Sequence, residues 1–387
     1  MAAVRSGPAR LRIAHCVHGL GLGGAQKVIA SIVRGTDPGA FRHFVYSCAD
    51  GVHREEVEQA GATVRIIERR IPKLDPVWAV RLASAMRADA IDLVHTHLFG
   101  DSLHGYLASR AAGRPPVIMT LHIGVEGLTR LQEWGYRWLL SRCARVVACS
   151  RSVEASFDSL GREPFARLST IANGIAVPSS ADVPAAEVAE VRRQLGVGAG
   201  EVLVASIGRL AEQKGHRYVL TAFAKLVHAR GIAARLIILG DGELRAGLER
   251  QARAEGIADR VTFGGIRPDV FRLLGAIDVV VFGSLFEGLP VALLEAMATG
   301  RCIVGTDVPG IVEAVRDGRE ALIVPARDAE ALGEALHRVA TVPGLQRRLG
   351  EAARRRFLEE FTAERMVERY EAVYREVYDG REVYAGR

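Results

Sequence analysis

The strongest constraint on the fold is an alternation of short β-branched runs with longer amphipathic stretches, which occurs twice along the 387 residues. In the first half, seven such runs predict the strands Arg12–Val17, His43–Ser47, Thr63–Ile67, Leu93–His95, Val117–Thr120, Val146–Ala148 and Ser169–Ile171. Helical patterns lie between them, including Ala25–Val33, Val77–Met86 and Ser102–Ala111. Runs that are apolar on both faces and joined by crossover helices are typical of a parallel sheet covered on both sides.

The pattern restarts after Val177–Pro184, a stretch rich in proline and serine that we interpret as a linker. Six further runs predict the strands Val202–Ile207, Leu236–Leu239, Val261–Phe263, Val279–Phe282, Cys302–Val304 and Ala321–Val324. A last helical tract extends from about Ala329 to Tyr378, with breaks at Pro343 and near Phe361. We therefore predict an α/β protein with two Rossmann-like, doubly wound parallel-sheet domains facing across a cleft, at 1–177 and 185–360, and a C-terminal helix at 361–387.

Composition excludes several classes of protein. The chain is 49% hydrophobic and 25% charged, as expected for a globular protein. It contains no apolar run of about 18 residues, so we expect no membrane span. The run Leu11–Val17 is interrupted by Arg12 and His15, which argues against a signal peptide. Five cysteines without CxxC spacing argue against a disulfide framework or a zinc site and predict reduced thiols in a cytoplasmic protein.

Charge is distributed unevenly along the chain. Residues 1–175 carry 22 Lys and Arg against 15 Asp and Glu, whereas the remainder carries 29 against 30. A basic surface with aromatic residues suits an anionic lipid or acceptor, although an ordinary solvated surface has the same composition. Four apolar residues in this half recur at helical spacing: Leu128, Leu131, Trp134 and Trp138. They predict either a helix that touches a membrane surface or, as is more common, an amphipathic helix packed on its own domain.

The N-terminal segment contains a glycine pattern that points to a different function. Gly19, Gly21 and Gly24 satisfy G-x-G-x-x-G between a predicted strand and a predicted helix. Alone, the pattern predicts a nicotinamide-dependent oxidoreductase. However, the second strand does not end in an acidic residue, since Asp50 follows it in a loop. We interpret Gly23 and Gly24 as a wall of a phosphate site at a helix N-terminus, and a simple tight turn is the structural alternative.

A second segment, Ser206–Gly215, begins at a strand end and leads into a helix. It places Arg209 and Lys214 in one loop with the flexible Gly208. A guanidinium and an ammonium together can neutralise a diphosphate and stabilise it as a leaving group. This pair is more specific than either cation alone.

The most informative segment carries Glu287 and Glu295, with Pro290 between them at a predicted helix start. Backbone N–H groups at that start can hold phosphate oxygens, and the candidates are Leu289, Val291 and Ala292. Glu295 would reach the two hydroxyls of a ribose, and Glu287 would meet the transferred sugar. An exposed helix carboxylate is the alternative for Glu295, but its apolar neighbours predict burial, and a buried glutamate needs partners.

Three histidines end neighbouring predicted strands. His95 and His97 close one strand, and His122 follows the next. Their position at the mouth of a parallel sheet favours a functional role for His122, although a single histidine is more often structural. A zinc site at these three residues is less favoured, because no carboxylate or cysteine completes it at ligand spacing.

Taken together, these segments resemble a retaining glycosyltransferase of family 4, among the glycosyl transferases group 1, with the GT-B fold. The resemblance covers nearly the whole chain. Its motifs are Gly23-Gly24-Ala-Gln, the His97 strand end, Thr120-Leu-His122, Ala148-Cys-Ser150, Ile171-Ala-Asn173-Gly174-Ile175, Gly208-Arg209 with Lys214-Gly215, Gly240-Asp241-Gly242, and the Glu287/Glu295 pair. Any one of these motifs is weak, but their ordered set is highly specific.

The resemblance implies roles for individual residues. It makes Arg209 and Lys214 pyrophosphate binders, Glu295 the ribose partner, and Glu287 and His122 contacts to the donor sugar. Gly24 would border the phosphate. The second phosphate loop of the family is similar to Gly288–Val291, where proline stands in place of one N–H donor. The closing helix is expected to cross back onto the N-terminal domain.

The resemblance also implies a front-face reaction that retains the anomeric configuration and is assisted by the departing diphosphate. The sequence contains no Asp-x-Asp, so we expect no metal, and no cofactor besides the nucleotide-sugar donor. The expected acceptor is a glycan or a lipid-linked saccharide of cell-envelope or exopolysaccharide biosynthesis. We expect no nucleic-acid partner, and a cytoplasmic location that is peripheral at the inner face of the membrane if the chain binds anionic lipid.

Three other activities are alternatives to this interpretation. They are the oxidoreductase above, a sugar-nucleotide epimerase, and a phosphorylase of the same fold. A phosphorylase would need a lysine that forms a Schiff base with pyridoxal phosphate, and no lysine here stands out for that role.

Overall fold

The computed structural model describes residues 10–21, 23–71, 75–125, 128–158, 160, 168–178 and 182–380. Contacts between residues divide the chain into two compact units. The first unit comprises Met1–Gly174 together with Ala363–Arg387, and the second comprises Ile175–Thr362.

The first unit contains a seven-stranded sheet in which all neighbouring strands run parallel. Its strands are β1 Leu11–Val17, β2 Phe41–Ser47, β3 Thr63–Ile66, β4 Leu93–His97, β5 Val117–Leu121, β6 Arg145–Ala148 and β7 Leu168–Thr170. Its helices are α1 Gly24–Gly35, α2 Arg54–Gln59, α3 Pro76–Ala88, α4 Phe99–Ala111, α5 Arg130–Leu140 and α6 Arg151–Asp158, and α15 Ala363–Asp379 joins them from the C-terminal end. The strand order is β3-β2-β1-β4-β5-β6-β7, so the winding reverses between β1 and β4.

The second unit contains a six-stranded parallel sheet. Its strands are β8 Val202–Ile207, β9 Ala234–Leu239, β10 Val261–Gly265, β11 Val279–Phe282, β12 Cys302–Thr306 and β13 Leu322–Val324. Its helices are α7 Ala185–Gln194, α8 His216–His228, α9 Arg245–Ala254, α10 Val270–Ala276, α11 Val291–Ala298, α12 Pro309–Ala314, α13 Ala329–Thr341 and α14 Leu345–Glu360. The order β10-β9-β8-β11-β12-β13 places the reversal between β8 and β11.

The core of the second unit shows why the short runs became strands. Val204, Val279 and Val304 lie on three neighbouring strands and are fully buried. They belong to one cluster with Phe223 of α8 and Leu336 of α13. Branched side chains fill the pleated surface well, and helices cover it, so apolar runs with no polar face are stable here.

The two doubly wound parallel sheets confirm the fold class predicted from the sequence, and every predicted strand is present with bounds shifted by at most a few residues. The boundary between the units lies between Gly174 and Ile175, just before the segment interpreted as a linker. Of that segment, residues 179–181 lie outside the described part of the chain. The break near Phe361 separates α14 from α15. Within the described residues, no helix is both long and apolar enough to cross a bilayer.

Helix α5 differs from the more common arrangement expected for an amphipathic stripe. Its buried face consists of Tyr136, Leu139 and Leu140, whereas Leu131 and Trp134 are 76% and 64% exposed. The expectation that the stripe packs on its own domain is therefore wrong for these two residues. The physical reason is that the helix already buries a different apolar face, which the spacing of the tryptophans did not reveal.

Helix α15 is attached to the sheet of the first unit by a buried polar network as well as by apolar contacts. The Tyr374 hydroxyl lies 2.8 Å from Nδ1 of His95, and Nε2 of His95 lies 2.7 Å from the Thr120 hydroxyl. That hydroxyl lies 3.1 Å from the Tyr370 hydroxyl. All four side chains are buried, so each hydrogen bond replaces one that water would otherwise supply.

Replacing Tyr374 by phenylalanine should destabilise the first unit by about 1–3 kcal/mol, because Nδ1 of the buried His95 loses its partner. The measurement is urea unfolding followed by tryptophan fluorescence, which reports on this unit because Trp78, Trp134 and Trp138 all belong to it. Tyr218→Phe is the matched control when both variants are also followed by circular dichroism, which reports on both units. Among the described residues the Tyr218 hydroxyl contacts the exposed Arg217, so its loss should change little. An unfolding midpoint for Tyr374→Phe equal to that of the control would contradict the role of the network.

Candidate functional site

The second unit gathers the predicted phosphate and sugar residues at one point of its sheet. Strands β8 and β11 are neighbours, and the winding reverses between them. The loop after β8 carries Arg209 and Lys214, and the loop after β11 carries Glu287. In doubly wound sheets, ligands bind beyond the carboxyl ends of the strands at this reversal, because the flanking crossovers leave a crevice there.

An ion pair joins the two loops. The Lys214 ammonium lies 2.6 Å from Oε1 of Glu287, whose side chain is only 5% exposed. The Ser284 hydroxyl donates to the same oxygen at 2.7 Å, and Gln213 reaches Oε2 at 3.5 Å. A buried carboxylate needs such partners to remain charged. Lys214 and Glu287 were predicted to serve different parts of a ligand, and the structure shows that they also bind each other.

Backbone contacts at glycines hold the two loops close together. A Cβ on Gly215 would lie 1.9 Å from the carbonyl oxygen of Gly283, so Gly215 cannot carry a side chain without moving the backbone. The Leu285 N–H completes the junction by donating to the Gln213 carbonyl at 2.8 Å. The ion pair is therefore built on a rigid junction of backbone.

Arg209 occupies a different environment from Lys214. Its guanidinium is exposed and, within the described part of the chain, has no hydrogen-bond or ion-pair partner. Its backbone is fixed, because His216 bridges the Arg209 carbonyl at 3.2 Å and the Ser206 hydroxyl at 3.0 Å. Burial lowers the pKa of His216 to about 4, so it is a neutral bridge. Gly208 lies against the aliphatic part of the Lys214 side chain, since a Cβ added at Gly208 would come within 3.2 Å of it.

The helix start predicted near Pro290 is present. Pro290 is the N-cap residue of α11, and Val291 and Ala292 open the helix, where N–H groups have no partner within the helix. Glu295 lies in the next turn and is 3% exposed, in agreement with the burial expected from its neighbours. Gly288 and Leu289 lie in the loop between Glu287 and this helix.

In the first unit, Gly23 is the N-cap of α1 and Gly24 is its first residue, and both are exposed. Gln26 folds back over this start and donates to the Gly19 carbonyl at 2.6 Å. Asp50, the nearest candidate for the ribose carboxylate of a dinucleotide site, pairs with Arg54 at 2.8 Å. This pairing gives the oxidoreductase alternative no support. Leu22, inside the glycine loop, lies outside the described residues.

His122 lies directly after β5 and is partly exposed. Its Nε2 lies 3.1 Å from Nδ1 of His97 at the end of β4. Burial lowers the pKa of His122 to about 4 and that of His97 well below its usual value, so both rings are neutral at physiological pH. His122 can therefore exchange hydrogen bonds with a ligand hydroxyl, but it carries no positive charge for a phosphate.

The described residues contain one group of three side chains that could hold a metal ion, His15, His95 and His97, with ligand atoms within 4.8 Å of one another. This is not the set of His95, His97 and His122 considered from the sequence. Hydrogen bonds already occupy both ring nitrogens of each of the three. No carboxylate belongs to the group, so these imidazoles fit a hydrogen-bonded array better than a metal site.

The structure thus brings Lys214 and Glu287 into contact and places Arg209 in the same loop as Lys214, while Glu295 lies one helical turn beyond the start of α11. Gly23, Gly24 and His122 belong to the other unit. Sequence reasoning missed Ser284 and Gln213 as partners of Glu287 and His216 as the bridge to Arg209. The available signal was that Ser206 and Ser284 are polar residues within or next to apolar runs.

Two known protein families match the two halves of the chain. Residues 187–356 match the model of the glycosyl transferases group 1, and residues 22–177 match that of glycosyltransferase family 4. The 2-deoxystreptamine N-acetyl-D-glucosaminyltransferase of Streptomyces fradiae is 30% identical over 353 residues, which span 80% of this chain and 83% of that protein. The UDP-Gal:alpha-D-GlcNAc-diphosphoundecaprenol alpha-1,3-galactosyltransferase of Escherichia coli is 28% identical over 270 residues, spanning 67% of this chain and 69% of that protein.

Among solved structures, Anabaena Alr3699/HepE in complex with UDP and glucose is similar in fold. Its TM-score is 0.85 at 21% identity, and the match covers 95% of this chain and 100% of that chain. The two family models together cover most of the chain in the order of its two parallel-sheet units. The chain therefore belongs to the family 4 glycosyltransferases, within the glycosyl transferases group 1, and has the GT-B fold.

Proposed function

We propose that this glycosyltransferase transfers a sugar from a nucleotide-diphosphate sugar, with retention of configuration and without a metal ion, to a glycan or lipid-linked saccharide of cell-envelope or exopolysaccharide biosynthesis. The names of its relatives support the substrate classes. The E. coli relative is named for a UDP-Gal donor and a diphosphoundecaprenol-linked acceptor, and HepE was crystallised with UDP and glucose.

The observation that carries the proposal is the Lys214–Glu287 ion pair at the strand reversal of the second unit, with exposed Arg209 in the same loop. An ammonium has three N–H donors, of which Glu287 takes one. A diphosphate that approaches this loop would meet two cations and the N–H groups that open α11. These groups stabilise negative charge that grows on the phosphate as the glycosidic bond breaks.

In the proposed reaction, the bond between the anomeric carbon and the phosphate oxygen breaks first. The acceptor oxygen then attaches from the same face, and its proton passes to the departing phosphate, which balances the reaction without a protein nucleophile. The environment of Glu287 supports this route, because its Oε1 already accepts hydrogen bonds from Lys214 and Ser284 and is a weak nucleophile. Arg209 and Lys214 would supply the positive charge that a divalent cation supplies in other transferases.

A second surface supports a lipid-linked acceptor. Helix α5 exposes Leu131 and Trp134 on the same side as Arg130 and Arg137, which are also exposed. Large apolar side chains flanked by arginines are typical of helices that lie in the interface of an anionic bilayer. We therefore propose that α5 rests on an anionic membrane surface, where a lipid-linked saccharide would be found.

The donor class is tested by melting curves in EDTA with UDP-, GDP- and ADP-sugars and with NAD. One class of sugar nucleotide should raise the melting temperature, because a ligand that binds only the folded state stabilises it, and Arg209→Ala should reduce that shift. The same donor should be hydrolysed slowly in EDTA, and the sugar released first should keep the anomeric configuration of the donor by NMR. Stabilisation by NAD alone, inversion, or hydrolysis that requires magnesium or manganese would each contradict the corresponding part of the proposal.

Replacing Lys214 by alanine should lower kcat by roughly 10²–10³-fold, a larger effect than its effect on donor affinity, because leaving-group charge is greatest in the transition state. The measurement compares kcat with the dissociation constant of the donor from calorimetry. An intact kcat with weakened donor binding would show that Lys214 does not act on the leaving group.

The double variant Lys214→Ala/Glu287→Gln tests whether a loss of activity comes from the unpaired Glu287 carboxylate and not from the loss of Lys214 itself. Lys214→Ala alone leaves the 5%-exposed Glu287 carboxylate without its cation, and this stray charge could repel the diphosphate. The double variant removes that charge. If Lys214 stabilises the leaving group, kcat of the double variant stays well below that of Glu287→Gln alone, whereas recovery to the level of Glu287→Gln would assign the loss to the unpaired Glu287 carboxylate.

The membrane surface is tested by flotation with vesicles of neutral or anionic phospholipid. The chain should float with anionic vesicles, and Leu131→Ser/Trp134→Ser should reduce the bound fraction severalfold, since apolar burial and charge attraction add. Leu358→Ser is the matched control, because Leu358 is also exposed, at 56%, but lies on α14 in the second unit. Equal binding by all variants would exclude α5 as the contact.

A further inference from the structure

Behind His122, a chain of imidazoles runs into the interior of the first unit. Nε2 of His122 lies 3.1 Å from Nδ1 of His97, and Nε2 of His97 lies 3.3 Å from Nδ1 of His15. Nε2 of His15 lies 3.0 Å from Nδ1 of His43, and Nε2 of His43 lies 2.8 Å from the hydroxyl of Thr36. Every contact in this histidine chain joins Nε2 of one ring to Nδ1 of the next, until the last ring meets the threonine.

The parallel register explains why these rings meet. His15, His43 and His97 lie on the neighbouring strands β1, β2 and β4, and His122 follows β5. His43 pairs with Ile13, which is two residues before His15 on β1. His15 in turn pairs with His95, which is two residues before His97 on β4. Side chains two residues apart share a face of a sheet, so the three strand histidines lie on one face and form a diagonal line across it.

The rings of this chain are neutral. His15 and His97 are fully buried, and burial lowers their pKa values well below the usual one. Burial also lowers the pKa values of His43 and His122 to about 4. A neutral imidazole has one N–H donor and one acceptor nitrogen. Each ring must therefore donate in the same direction as its neighbour, and the tautomer of one ring determines the tautomers of all.

The Thr36 end of the chain determines that direction. In a continuing helix, the Val33 carbonyl of α1 would accept the N–H of Asp37, but that N–H donates to Glu371 at 2.8 Å. The Thr36 hydroxyl donates to the Val33 carbonyl instead, at 3.3 Å. A hydroxyl has one proton, so the Thr36 oxygen accepts from Nε2–H of His43. Every ring in the chain then carries its proton on Nε2.

We propose that Thr36 is a positioning residue that acts through the histidine chain to hold His122 as the Nε2–H tautomer and so make its Nδ1 an acceptor for a ligand hydroxyl. Within the described part of the chain, Nδ1 of His122 has no protein partner, and the residue is partly exposed. The site thus selects a group that donates a hydrogen bond at this point. The identification of that hydroxyl with one on the donor sugar rests on the proposed function.

The tautomer is measured without any ligand by long-range ¹H–¹⁵N NMR of histidine-labelled protein near neutral pH, with the His122 signals identified from His122→Gln. We expect protonated Nε2 and unprotonated Nδ1 in His122. Thr36→Val removes the hydroxyl with little change of shape, so both directions of the chain become accessible and His122 should become a mixture of tautomers. Thr36→Ser keeps a hydroxyl and should preserve the original spectrum.

Protonated Nδ1 in the wild-type His122, or a mixture of tautomers there, would overturn the proposal even if Thr36→Val failed to fold. An unchanged His122 spectrum in folded Thr36→Val would also overturn it. One bound zinc ion per chain, found by metal analysis, would overturn it as well, because a metal would occupy ring nitrogens that the hydrogen-bonded chain requires. The His216 signals, from the second unit, serve as the internal reference for intact protein.

The link to function has a separate readout. Thr36→Val should weaken binding of the donor sugar nucleotide roughly three- to tenfold, the effect of one hydrogen bond, and leave binding of the nucleoside diphosphate alone unchanged. Thr36→Ser should bind both like the wild type. If the tautomer result holds while no sugar nucleotide binds, the proposed function fails and the histidine chain stands. If donor binding is normal but Thr36→Val does not alter the His122 tautomer, the proposed function stands and the proposal for the histidine chain fails.

Discussion

The close approach of two strand-end loops in the second unit is the constraint on which the candidate site depends. β8 and β11 are neighbours only because the winding of the sheet reverses there, and this brings residues 73 positions apart into one ion pair. Gly215 permits the approach, since a Cβ there would lie 1.9 Å from the Gly283 carbonyl oxygen. The sheet topology makes the two loops neighbours, and the absence of a side chain at Gly215 lets them come this close.

The ion pair has a cost that points to a role beyond stability. Isolating a carboxylate from water is unfavourable, and an apolar pair of similar size often stabilises a fold as well. Glu287 nevertheless lies at 5% exposure with Lys214 and Ser284 as partners. Such an arrangement keeps an ammonium oriented at the sheet edge before any anion arrives. Under the proposed function, little reorganisation would then be needed when charge develops on a bound phosphate, which is the condition for effective electrostatic catalysis.

Local pattern was sufficient to predict the strands and the burial of Glu295, because apolar runs and apolar neighbours report directly on burial. It was not sufficient for contacts that depend on register between strands separated by whole helices. His95 and His97 show their shared face in the sequence, but nothing local indicates that His15 and His43 join them. The exposed face of α5 was one of two alternatives that the sequence left open for a related reason, since periodicity identifies an apolar stripe without showing which stripe the neighbouring elements cover.

The buried polar groups of the two units differ in kind. The second unit presents a charged pair and an exposed guanidinium, which attract an anion. The first unit presents a row of neutral imidazoles, which burial prevents from protonating. A neutral imidazole ring recognises a hydroxyl by the direction of the hydrogen bond between them, and it has no positive charge to attract a phosphate. Under the proposed function, charge in the second unit would therefore attract a diphosphate, and the tautomer proposed for His122 in the first unit would select a ligand group that donates a hydrogen bond.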